Sequence, residues 1–77
     1  MKRGPFTAKD VKRALKADGW HEAAGGKHGV WEHPEKPGKF AVSESWKNLN
    51  ISDPILRGMC RTCILDKRTL LKLLNKD

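Results

Sequence analysis

Gly25-Gly26-Lys27-His28-Gly29-Val30-Trp31-Glu32-His33-Pro34 decides how the chain folds. It opens on a Gly-Gly turn signal, continues through β-favouring residues and stops at a proline. Turn, strand residues and breaker in that order read as the second strand of a hairpin. Trp20 to Ala24 supplies the first strand, joined to the second through Gly25-Gly26. Pro34-Glu35-Lys36-Pro37-Gly38 is a second turn, because two prolines and a glycine forbid regular structure there. Lys39 to Ser43 then alternates, with Phe40 and Val42 on one face and Lys39, Ala41 and Ser43 on the other, which predicts a third strand. Three short antiparallel strands in a meander leave one apolar face for helices to cover.

Helical signals flank the sheet on both sides. Thr7 is an N-cap, Asp10 completes a capping-box-like pair, and Phe6 can staple onto Val11. Ala8, Val11, Ala14 and Leu15 form an apolar stripe, with Lys9, Lys12, Arg13 and Lys16 mostly away from it. Gly19 suits the left-handed position after a helix end, with Trp20 as its apolar follower, so the first helix should run from about Ala8 to Asp18. Glu44 to Ile51 reads as a loop pinned to the core by Trp46, Leu49 and Ile51. Ser52 or Asp53 caps a second helix, and Pro54 suits its first turn. Ile55, Leu56, Met59, Cys60 and Cys63 form its apolar side, and Arg57 and Arg61 its basic edge. Asp66 caps a last helix whose Leu70, Leu71, Leu73 and Leu74 give a broad apolar face, either core or in part a partner surface. The expected fold is α+β, in the order α-β-β-β-α-α, with helices on one face of the sheet. The first five elements have the order of double-stranded RNA-binding domains, an analogy of fold alone.

At 77 residues the chain is expected to form a single domain, residues 1–77, with a modest core. Its 16 Lys and Arg against 9 Asp and Glu give a formal charge of +7, which favours polyanionic partners: nucleic acid, a membrane surface or an acidic protein. No apolar run approaches the roughly 20 residues that span a bilayer. Met1-Lys2-Arg3-Gly4-Pro5 is not followed by the apolar stretch of a secretory signal, so a cytoplasmic protein is expected.

Two kinds of residue could carry chemistry. His28 lies beside a turn and next to Lys27, a pairing that can combine proton transfer with anion binding; the competing reading is a solvated hairpin end. Cys60 and Cys63 form a Cys-x-x-Cys, but it falls late in a helix, where the dipole does not favour a thiolate. A structural zinc site would need His28 and His33 as its second ligand pair. Two packing thiols and no metal are the expectation.

Taken in order, these pieces resemble the HicA family of small mRNA interferase toxins, from about Thr7 to Leu74. Leu15-Lys16-Ala17-Asp18-Gly19-Trp20 is similar to the family's leucine, lysine, glycine and aromatic at the end of the first helix. Gly26-Lys27-His28 stands where the family has Gly-Ser-His, and Trp31-Glu32-His33-Pro34 resembles its aromatic-x-His-Pro. A basic turn leads into Lys39-Phe40-Ala41-Val42, and Lys47-Asn48-Leu49 precedes the second helix. Leu56-Arg57-Gly58-Met59-Cys60-Arg61 is similar to the family's Leu-Arg-x-Ile-Leu-Arg.

The resemblance implies a double-stranded-RNA-binding-like fold, RNA cleavage by one histidine, and neutralisation by a HicB-type antitoxin. It names His28 as the catalytic residue. RNA carries its own nucleophile: a base takes the 2′-OH proton and an acid protonates the leaving oxygen, roles that imidazole suits near neutrality. Lys27, Lys36, Lys39, Arg57 and Arg61 are the cations expected to meet RNA phosphates. His21 and His33 on the same hairpin are further candidates for the acid–base role. The expected partners are mRNA and the antitoxin, with neither membrane nor small-molecule cofactor. Two positions depart from the pattern. Lys27 replaces the family serine, and Ser43-Glu44-Ser45-Trp46 stands where many members carry a histidine. The first departure leaves open a second reading, a non-catalytic RNA-binding module of the same fold.

Overall fold

The computed structural model describes residues 2–23 and 29–76. Helix α1 (Ala8–Ala17) is followed by strands β1 (His21–Glu22), β2 (Val30–Glu32) and β3 (Lys39–Ala41), then helices α2 (Pro54–Cys63) and α3 (Lys67–Leu74). The fold is α+β, with one antiparallel sheet in the order β1-β2-β3. The element order agrees with the sequence pattern, but the strands are shorter. β3 ends at Ala41: Val42 N–H makes one more bond, to Gly29 O at 2.6 Å, and the chain then turns through Ser43, Glu44 and Ser45. The expected Gly25-Gly26 turn lies outside the described residues.

The helix ends follow the capping chemistry in the sequence. Asp10 N–H donates to Thr7 Oγ1 at 3.3 Å and Thr7 N–H to Asp10 Oδ2 at 2.9 Å, a complete capping box. At the other end of α1, Gly19 N–H donates to Lys16 O and Trp20 N–H to Leu15 O. Gly19 has φ of +95°, which a side chain would resist. Asp53 caps α2 through Ile55 N–H, Pro54 opens it, and Asp66 caps α3 through Thr69 N–H.

The end of α2 has no such signal. Ile64, a β-branched residue, takes the left-handed conformation (φ 53°, ψ 51°) that lets Leu65 N–H reach Cys60 O at 2.9 Å. Its side chain is 66% exposed, so packing does little to offset the backbone cost. Left-handed backbone costs a side-chain-bearing residue about 1–2 kcal/mol, partly balanced by the larger chain entropy glycine loses on folding. Ile64→Gly should therefore raise stability by about 0.5–1 kcal/mol, read as a higher urea midpoint; a lower midpoint would mean that the half-packed side chain matters more than the backbone.

The core lies between the sheet and the helices. Trp31 and Phe40 face each other across β2 and β3 and point inward with Val42, against Leu15, Leu56, Met59, Leu70 and Leu74. α1 packs on α3, and α2 packs on β3. Leu70, Leu71 and Leu74 are buried and Leu73 half-buried, so most of the broad leucine face of α3 is core. The segment before α1 is tied down by a bridge the sequence did not suggest: Phe6 and Leu49 exchange backbone bonds at 2.7 and 3.0 Å. Among the described residues, no helix is long and apolar enough to cross a membrane.

Candidate nucleic-acid interface

Lys27 and His28 lie outside the described residues. What the fold fixes is the point where the chain re-enters the sheet. Gly29 has φ of +79°, and a Cβ there would sit 2.7 Å from Val42 O. Only glycine lets the backbone approach β3 this closely, so the residue that follows His28 is an anchor of the sheet.

The other two histidines occupy different settings. His21 is exposed on the outer face of the sheet, with Nε2 3.9 Å from Glu32 Oε1. His33 is engaged at both ring nitrogens. Nε2 lies 2.9 Å from Asp18 O, and Nδ1 accepts from Glu35 N–H at 2.9 Å. A carbonyl on one side and an N–H on the other define the neutral ring with its proton on Nε2. The ring also packs edge-on against Trp20, at 5.4 Å between centroids. Gly19 makes room for it, since a Cβ there would come within 2.9 Å of Nε2. His33 thus joins the end of β2 to the end of α1, and neither nitrogen is open for proton transfer.

Asp18 organises this corner. Its carboxylate accepts from Trp20 Nε1 at 3.0 Å and from Lys36 Nζ at 2.6 Å. Lys36 also donates to Cys63 O at 2.7 Å, placing its charge on the carbonyl end of α2, where the helix dipole favours a cation. The turn between β2 and β3 is thereby held to both α1 and α2. Gly38 completes the fit, lying where a Cβ would press on Thr62.

Of the five cations expected to meet RNA, the four among the described residues, Lys36, Lys39, Arg57 and Arg61, do not form one patch. Lys36 is committed to Asp18 and Cys63 O, its side chain 20% exposed. Lys39 is exposed on the outer face of the sheet, 4.0 Å from Glu32. Arg57 and Arg61 stand one helical turn apart on the solvent side of α2 and are brought together. With Pro54 and Gly58 they line a cavity of about 230 Å³, and neither has an ion-pair partner among the described residues. The acids nearest to them in sequence, Asp53 and Asp66, serve as helix caps. A second cavity of about 410 Å³ shares Arg57 and adds Ile51, Ser52, Cys60 and Lys67. Two guanidinium forks and an ammonium around open cavities can hold phosphate or carboxylate groups.

No family model, curated protein or solved structure matches the chain.

Lys67 and Ser52 were absent from the sequence-based set of cations and contacts. Lys67 follows the Asp66 cap and looks like any first-turn lysine; only the approach of α3 to α2 sets it opposite Arg57. The two cysteines are free thiols, Cys63 buried and Cys60 half-buried. Burial pushes the Cys63 thiol up to about 12; burial first, then the nearby Asp66 carboxylate, raises Cys60. Neither environment favours the thiolate that metal binding and disulfide exchange require. Among the described residues, no three His, Cys, Asp or Glu side chains are grouped to hold a metal. A Cys60→Ala, Cys63→Ala double variant should lose about 1 kcal/mol of stability from the packing defect and keep its activity. Stoichiometric zinc in the native protein, or activity lost on chelation, would overturn the packing role.

Proposed function

We propose that this chain is an mRNA interferase toxin of the HicA type: a metal-independent endoribonuclease that binds RNA, cleaves it with His28, and is neutralised by a HicB-type antitoxin. The observation that carries the proposal is a run of motifs in family order on an α-β-β-β-α-α chain. Gly26-Lys27-His28 falls between β1 and β2, Trp31-Glu32-His33-Pro34 spans the end of β2, and Leu56 to Arg61 lies within α2. The double-stranded-RNA-binding-like fold belongs to the same proposal, supported by the element order and the three-stranded antiparallel sheet. His33 adds indirect support. With both nitrogens engaged it has a structural task, which leaves His28 and the exposed His21 as the histidines able to work as acid or base.

Growth tests the proposal. Inducing the chain alone should arrest the host, and co-expressing the neighbouring open reading frame should relieve the arrest and yield a stable complex. Complementary charge on an acidic antitoxin would speed association with this basic domain. Binding to RNA without growth arrest would instead favour the non-catalytic module, the reading that Lys27 in place of the family serine supports.

A further inference from the structure

The larger cavity between the start of α2 and the start of α3 has more than charge in its lining. Arg57 and Lys67 supply cations, Ser52 a hydroxyl, and Ile51 and Cys60 an apolar wall. A surface that only follows a duplex backbone needs exposed cations and no hollow. A concave site of about 410 Å³ with one apolar wall is large enough to take a small ligand inward. Bases of an A-form duplex are stacked inside and cannot enter such a hollow, whereas an unpaired nucleotide can be splayed into it.

We infer, resting on the RNA-binding reading above, that this cavity is a subsite for one unpaired nucleotide. Its phosphate lies between Arg57 and Lys67, and its base lies against Ile51 and Cys60. The chain thereby prefers single-stranded or looped RNA over a continuous duplex. The smaller neighbouring cavity, reached across the shared Arg57 and lined by Arg61, receives the adjoining phosphate.

The test compares a single-stranded oligoribonucleotide with a duplex of the same length, by fluorescence anisotropy. Ser52 is exposed, so Ser52→Phe fills the hollow without entering the core and leaves every cation in place. It should lower the ratio of single-strand to duplex affinity about tenfold, the scale of one lost base contact. Lys67→Gln, which keeps the cavity open, should weaken single-strand binding and lessen its salt dependence. The single strand, but not the duplex, should slow alkylation of Cys60 by iodoacetamide. Wild-type protein that binds both oligonucleotides with a ratio unchanged by Ser52→Phe, or single strand that leaves Cys60 equally reactive, would overturn the subsite alone. Protein that binds neither oligonucleotide would overturn the subsite and the RNA reading together.

Discussion

His28→Ala should abolish growth arrest and slow RNA cleavage about a hundredfold or more, while RNA binding survives. The magnitude is that of losing one positioned acid–base group. Binding should survive because the proposed phosphate contacts include other side chains, Arg57 and Arg61 among them, whose charges the substitution leaves alone. If His28 is solvated, as the sequence reading expects, stability should change by about 1 kcal/mol or less. Three measurements separate the outcomes: a urea melt, an affinity for uncleavable RNA, and a single-turnover rate. A folded variant that still cleaves would move the acid–base role to His21, since both nitrogens of His33 are engaged with Asp18 and Glu35. A variant that unfolds would assign His28 to the fold instead. Lys27→Ala should weaken binding and cleavage only partly if the lysine is a phosphate contact.

Local chemistry was legible in the sequence wherever one residue sets the geometry. Thr7 with Asp10, Gly19 with Trp20, Asp53 with Pro54, and Asp66 each mark a helix end, and each does so through a bond between near neighbours. The alternation of Phe40 and Val42 with Lys39 and Ala41 marked a strand that is buried on one side. What stayed hidden carries no signal in the residue types. Ile64 has no turn signature, yet it takes the left-handed end of α2 as Leu65 N–H returns to Cys60 O. The pairing of Phe6 with Leu49 joins segments that no periodicity links. The candidate site divides in the same way. The basic edge Arg57 and Arg61 follows from helical spacing, whereas the opposition of Lys67 to Arg57 arises only when α3 folds back. Charge alone could not separate a lysine that faces solvent from one that faces an aspartate, and Lys36 and Lys39 fall on either side of that line.

Lys36 and Arg57 should accordingly respond in opposite ways to the same substitution. Lys36→Ala removes the charge held between Asp18 and the carbonyl end of α2, leaving a carboxylate about one-fifth exposed whose remaining bond, among the described residues, is from Trp20 Nε1, and Cys63 O without its lysine. Losing one member of a largely buried, hydrogen-bonded pair costs far more than losing a surface charge, here about 2 kcal/mol. The turn between β2 and β3 would loosen from both helices, so the melt should shift strongly while the salt dependence of RNA affinity stays close to wild type. Arg57→Ala removes an exposed charge with no ion pair among the described residues, so stability should move by less than about 0.5 kcal/mol. If Arg57 neutralises a phosphate, the slope of log affinity against log salt should fall by about one. Measuring both quantities on both variants tells the structural cation from the binding one. Equal loss of salt dependence in the two would return Lys36 to the interface, with the Asp18 pair then opening when RNA binds.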